Sequence, residues 1–186
     1  MGGYLHTNPQ EVPRWSWRSV VDVVEAHALL CASDAINASP GQPPPQRNPL
    51  TTERHVLAMA VEGLFCGDSL VGMFTLTRDP PRAMDSDEFG AADQAVYMQR
   101  LAVHPDWVER DALLGVRCVK RALEIARERG ASVLRAEANP RLVKVMQLLR
   151  SFGFVQVGPV RGEMGGVQHV NMQCAVHMHF QDVLRH

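Results

Sequence analysis

The sequence predicts an α/β or α+β domain, in which a mixed sheet carries helices on both faces. Three observations point there. Segments with helical and strand-like patterning alternate through the middle of the chain, the strands read as short apolar runs, and proline- or glycine-rich stretches punctuate them. With 186 residues, 46% of them hydrophobic and 21% charged, the chain has material for one hydrophobic core and little for two, so residues 1–186 read as a single domain with 1–18 as an N-terminal extension.

Over residues 18–36, Val20, Val23, Val24, His27, Leu30 and Cys31 recur at three- and four-residue steps, which makes one apolar face of a helix. Trp15 and Trp17, in "RWSWR", anchor that helix or line a pocket. Proline and glycine in "NASPGQPPPQRNPL" exclude helix and central strand alike. "TTERHVLAMAVEGL" (51–64) begins with a threonine cap followed by Glu53, and it predicts a second helix burying Val56, Met59, Ala60 and Leu64. "FCGDSLVGMFTLTRD" has the composition of a hairpin turning at "GDS". After a polar loop over 80–94, "AVYMQRLAV" (95–103) is a buried strand. A tight loop and a long helix ending at Gly130 follow, then a strand in "SVLRAEA". The next helix, in "NPRLVKVMQLLRSFGF", starts with Asn139 as cap and Pro140 at its first position, where the missing N–H is harmless. Two strands, "FVQVGPV" and "VQHVNMQCAVHMH", close the chain around a "RGEMGGV" turn.

Composition narrows the function classes. A formal net charge of -1 gives no basis for a nucleic-acid partner, whose phosphates require a basic surface. Cys31, Cys66, Cys118 and Cys174 form no C-x-x-C pair, which argues against a zinc site or a disulfide framework, and no residues are assigned to a metal. His177 and His179 alternate onto one face, but two ligands without a third are a weak metal signal. No apolar run reaches the roughly 18 residues of a membrane span, no signal peptide precedes the first helix, and His6 stands where a myristoylation signal wants Ser or Thr. A cytoplasmic protein without membrane attachment is the expectation.

The stretch "LAVHPDWVERDALLGVRCVKRALEIARERG" (101–130) is a strand-to-helix connection at the usual lip of a ligand site. A helix N-terminus offers unpaired N–H groups and the positive end of a dipole, so an anion lodges there if the backbone can approach. Asp106, Glu109 and Asp111 put acidic charge beside that seat, while Arg110, Arg117, Lys120 and Arg121 offset it. Without a ligand, the acidic residues simply favour the N-terminus of their own helix.

"YMQRLAVHP", the helix through "ALEIARERGA", "VLRAEANPRL", "RSFGF" and "VNM" occur in that order, and through them the chain resembles the GNAT superfamily of acetyl-coenzyme A-dependent N-acetyltransferases, most strongly over residues 50–172. The resemblance implies a mixed, mostly antiparallel sheet in which the strand of Tyr97–Val103 splays from that of Val133–Ala138, with the acyl-pantetheine arm of acetyl-CoA, or another acyl-CoA, in the gap. On the family's pyrophosphate pattern, Arg/Gln-x-x-Gly-x-Gly/Ala, fall Arg110, Asp111, Ala112, Leu113, Leu114 and Gly115, with Leu113 in place of the first glycine. Leu101, Ala102 and Val103, whose backbone N–H groups would support the oxyanion, and Asn139 complete the implied cofactor set.

The implied reaction transfers acetyl from acetyl-CoA to an amine of a small molecule or peptide, by direct attack in a ternary complex. Where members carry a tyrosine acid, this chain has Leu149 or Met146, and its two tyrosines, Tyr4 and Tyr97, lie elsewhere. Tyr97 and Gln99 stand where members have an early-strand carboxylate, and His169 is a candidate base because imidazole titrates near neutrality. Tyr97, Gln99 and His169 are thus the catalytic candidates, against packing, hydrogen-bonding or turn roles for each; His104 is a second histidine of that kind. Glu137 lies where relatives often carry an acid, or it pairs with Arg135 or Arg100. A GNAT-fold binding module without transfer, and a GNAT fold recruited to other acyl-CoA chemistry, stay open beside the transferase. The apolar "VNMQCAV" would suit strand pairing in a homodimer.

Overall fold

Residues 14–38, 43–81, 84, 86–89, 94–162 and 168–176 are described by the structure, a computed structural model of the chain. "WSWRS" alternates half-buried and exposed side chains over five residues, and it forms strand β1 (Trp15–Ser19), antiparallel to β2 (Val61–Cys66). Trp15 meets Trp107 edge-on at 5.9 Å, and Trp17 packs against Phe74 at 6.0 Å. The expected N-terminal extension therefore ends inside the sheet, and the tryptophans anchor a strand rather than a helix.

Helix α1 (Val23–Asn37) begins where Asp22 accepts hydrogen bonds from the N–H groups of Val24 and Glu25. It buries Ala26, Leu29, Leu30 and Ser33, whereas Val24 and Cys31, expected inside, are exposed. Apolar residues lie on several sides of this helix. The sheet takes the side of Ala26, whose small side chain admits close approach. Helix α2 (Pro49–Leu57) is capped by Asn48 and is shorter than expected. Its end is set by Met59, which turns out to solvent in the left-handed region at φ 53°. The following "VEGLFC" is β2, so Leu64 belongs to the sheet; both Leu64 and Phe65 are buried, which erases the alternation that marks a strand.

Strand β3 (Ser69–Thr77) returns from β2 across Gly67, whose φ of 59° only glycine adopts freely. A Cβ on Gly63 would stand 2.7 Å from atoms of Val20, Phe65 and Leu70, all buried. Gly63→Ala is therefore expected to destabilise the chain by about 1–3 kcal/mol through overpacking, read as a lowered urea midpoint at unchanged m-value.

Beyond β4 (Ala95–Val103), the one-turn α3 (Pro105–Val108) leads into α4 (Leu114–Glu128), which stops before Gly130 at φ 71°. β5 (Val133–Ala138), α5 (Val143–Ser151), β6 (Val155–Arg161) and β7 (His169–Ala175) complete the chain. The seven-stranded sheet has the order β1-β2-β3-β4-β5-β7-β6, antiparallel at every seam except β4–β5. Phe74, Val119, Leu134, Leu149 and Met172 join α4 and α5 to one face, while Leu30, Val56, Phe65 and Met73 join α1 and α2 to the other. The expected two-sided α/β sheet is thus observed. Burial pushes the Cys118 thiol up to about 12, so it is an inert core group. "VNMQCAV" lies between β5 and β6 and has no free edge to offer a second copy; the edge strand on that side of the sheet is β6, interrupted by Gly158 and Pro159.

Candidate active site

Strands β4 and β5 pair in parallel only from Ala95↔Val133 to Met98↔Ala136. Beyond that, β5 stays with β7 to Ala138 and β4 stays with β3 to Val103, so the two facing edges diverge. The cause is a bulge. Between Thr75↔Gln99 and Met73↔Ala102, β3 moves two residues while β4 moves three, and the extra residue, Arg100, takes φ 53°. Ala102 turns toward the α1 side, and Leu101 and Val103 pack toward α4. The backbone N–H of Val103 lies 3.5 Å from Ser33 Oγ.

The loop into α4 crosses the mouth of this gap. Leu114 is fully buried against Leu64 and Val71 and fixes the loop, while Ala112 and Leu113 are exposed. Leu113 therefore does not fill the seat at the helix end. Asp111 occupies it instead: Oδ1 accepts the Leu113 N–H at 2.8 Å, and Oδ2 lies 3.2 Å from Arg117 Nε. Arg110 is exposed, with its guanidinium 5.3 Å from the Trp107 ring. A Cβ on Gly115 would meet Leu148 Cδ2 at 3.1 Å, so this glycine admits α5 close to α4. Asn139, just beyond β5, accepts the Arg141 N–H at 2.9 Å in a local turn, and the helix starts at Val143 rather than at Pro140.

On the face away from α4, the strands present polar side chains at every second position. Gln99 Nε2 donates to Thr77 Oγ1 at 2.9 Å. Tyr97 is 4% exposed, its hydroxyl accepts from Arg135 Nη1 at 3.0 Å, and Met84 and Phe89 enclose it, an arrangement that favours packing over proton donation. Arg135 also donates to Gln173 at 2.9 Å, and Asn171 donates to Glu88 at 3.0 Å. Glu137 pairs neither with Arg135 nor with Arg100; its Oε1 lies 3.0 Å from His169 Nδ1. Met146 and Leu149 are buried in the main core. His104 Nδ1 is buried without a hydrogen-bond partner among the described residues, and His177 and His179 lie outside the described residues.

Positive charge gathers where α2 meets the bulge. Arg100 Nη1 donates to Thr52 Oγ1 at 2.9 Å, and Arg47 pairs with Asp34 at 2.5 and 2.9 Å. Burial, with Arg47 and Arg54 nearby, pulls the Arg100 guanidinium below its ordinary range, and burial with Arg100 and Arg54 does the same to His55. A separate groove, lined by Lys120, Arg127, Phe152 and Cys174, lies at the other end of β5 from the gap.

The sequence names Arg100 and Arg135 only as salt-bridge partners for Glu137, and it does not join Glu137 to His169. Strand alternation carried a signal for Arg135 and for the Glu137–His169 pair: Arg135 and Glu137 alternate with Leu134, Ala136 and Ala138, and His169, Asn171 and Gln173 alternate with Val170, Met172 and Cys174. Only the register shows that these two polar stripes share one face.

The profile of the Acetyltransferase (GNAT) family matches residues 27–154. No curated protein matches the chain in sequence. Among solved structures, the fold is similar to the ribosomal-protein-S18-alanine N-acetyltransferase from Escherichia coli, with TM-score 0.62, 14% identity, and 91% of this chain and 98% of that one covered. It is similar to the NatC complex bound to Gag peptide and CoA, with TM-score 0.62, 12% identity and coverages of 88% and 99%. It is also similar to FeeM, an N-acyl amino acid synthase from uncultured soil microbes, with TM-score 0.65, 16% identity and coverages of 89% and 92%. With a family profile spanning most of its length and a sheet that opens at the β4–β5 seam, the chain belongs to the GNAT acetyltransferase family.

Proposed function

We propose that the protein transfers an acetyl group from acetyl-CoA, or a related acyl group, to an amine by direct attack in a ternary complex. The observation that carries this is the β4–β5 ladder ending at Met98↔Ala136, which leaves two strand edges free beside the N-terminus of α4. Free edges hold an extended amide chain by backbone hydrogen bonds, as added strands do, and a pantetheine arm is such a chain. The helix end supplies N–H groups for a diphosphate, with Arg110 and Arg117 near it. Leu113, being exposed, leaves room; Asp111, whose carboxylate already holds the Leu113 N–H, competes.

Bound acetyl-CoA supplies an activated thioester carbonyl. This chain's own residues would do the rest. Glu137, one residue beyond the last β4–β5 pair, accepts a proton from the incoming ammonium, and His169, held at 3.0 Å, orients that carboxylate. The amine nitrogen then forms its bond to the acyl carbon as the carbon–sulfur bond breaks and its second surplus proton passes to solvent, with backbone N–H groups around Leu101 to Val103 as the oxyanion donors. With Met146 and Leu149 in the core, the leaving thiolate takes its proton from solvent. Positioning alone can supply roughly 7–11 kcal/mol of such a barrier.

Calorimetric titration with CoA tests this reading, and binding below millimolar concentration is expected. Asp111→Asn keeps a capping oxygen for the Leu113 N–H but removes the charge and releases Arg117. A helix-end charge is worth about 0.3–1 kcal/mol, so this variant is expected to bind CoA about two- to fivefold tighter. The carboxylate of Asp111 in the seat also favours a second reading, a GNAT-fold binding module without transfer. Failure of both the parent chain and Asp111→Asn to bind CoA at millimolar concentration would decide for that module.

A further inference from the structure

The transferase reading leaves the acceptor open, and two solved proteins of this fold are described with acceptors as different as an amino acid and a ribosomal protein. The acceptor class has to come from the side chains at the gap. Among these, Arg100 is the group the fold itself uses least.

A guanidinium carries five N–H donors in a rigid fork suited to a carboxylate. Two other half-buried arginines have such a partner, Arg47 with Asp34 and Arg121 with Glu62. Arg100 donates one hydrogen bond, to the hydroxyl of buried Thr52, and no carboxylate among the described residues pairs with it. The charges that act on it are Arg47 and Arg54 with the same sign and Asp34 with the opposite one, so cations outnumber the anion around it. Burial has removed part of its water as well. A partly dehydrated cation in a positive field is a seat prepared for an anion from outside.

Its backbone makes the same point. At φ 53°, glycine would sit in this bulge without strain, yet the position carries a long charged side chain. The bulge that opens the gap thus also aims a guanidinium beside it. Across the gap, Glu137 is the first residue of β5 after the last pair, and its charge is felt by Arg47 on the same side of the sheet. Arg47, whose charge also acts on Arg100, thus links the cationic lip and the anionic lip on one side of the gap.

We propose that the acceptor is an amino acid or a similar small amine bearing a carboxylate, with the carboxylate on Arg100 and the amino group at Glu137. This assignment rests on the transferase reading. A peptide N-terminus, whose nearest carboxylate has become an amide, would leave Arg100 unpaired and be disfavoured.

The test uses the full chain saturated with CoA. N-acetyl amino acids and the matching N-acetyl amino acid amides are titrated in by calorimetry, which reads binding without needing turnover. At least one acid is expected to bind about tenfold or more tightly than its amide, the effect of one lost charged hydrogen-bond pair. Arg100→Gln, which puts a shorter, uncharged side chain on the strained backbone, is expected to abolish that difference while CoA affinity stays unchanged, and Arg100→Lys is expected to restore part of it. Equal binding of acids and amides, or binding of neither to the CoA-saturated chain, overturns the assignment of the acceptor alone. Absence of CoA binding in the first titration overturns the transferase reading and this assignment with it. The comparison of acid with amide on the parent chain needs no variant, so a misfolded Arg100→Gln would not rescue the proposal.

Discussion

Glu137→Gln is expected to slow acyl transfer by about 10²–10⁴-fold in kcat/KM at neutral pH, the range that a positioned general base contributes. The substitution keeps the shape of the side chain and leaves an oxygen that can still accept from His169, so the thermal midpoint and CoA affinity should scarcely move. The pair is half exposed, and such contacts add little to stability. What disappears is the negative charge that takes the ammonium proton. His169→Ala should cost less than Glu137→Gln, because it removes only the group that orients the carboxylate. A Glu137→Gln enzyme with unaltered kcat/KM would reduce Glu137 to an anchor for His169 and leave positioning as the source of catalysis.

Phe74→Ala should have the largest effect on stability. Phe74 is fully buried in β3, packs in the main core with residues of α4, and has Trp17 across β2 at 6.0 Å. Emptying such a site costs about 3–5 kcal/mol, a large share of the 5–15 kcal/mol that typically separates native from unfolded chains. For a chain of this size that corresponds to a midpoint lower by roughly 6–20 °C. Trp17 rests on the vacated volume, so its fluorescence should change in the native state before the transition begins. A midpoint lowered by only a degree or two would mean that the β3–α4 packing closes over the vacancy.

Strand β4 was legible to the residue in the sequence, because "AVYMQRLAV" carries apolar runs on either side of Gln99 and Arg100 and lies between a polar loop and His-Pro. The hairpin at Gly67 and the end of α4 before Gly130 were legible too, since glycine marks both in chemical terms. Helix α2 was overrun by seven residues. The segment that follows it is buried on both faces and imitates helical spacing, and the reversal at Met59 is made by a residue with no turn preference. β1 was missed because five residues of alternation are too few to stand out beside a longer amphipathic stretch.

For the site, the family motifs located the loop and the two strands, but the partners of Asp111, Glu137 and Arg100 were hidden. Each depends on a residue the chain brings close only by folding: Arg117 across the helix start, His169 from the last strand, Thr52 from α2. The bulge was hidden for another reason. No glycine announces it, and the strain sits on an arginine.

The lone parallel seam has a mechanical meaning. Only four residue pairs join β1 through β4 to β5 through β7, so the sheet is two smaller sheets stitched along a short hem, with α4 lying across it as a brace. Whatever lies in the cleft and bonds to both free edges lengthens that stitching, and occupancy should be visible as slower amide exchange in both halves at once, far from any atom the guest touches.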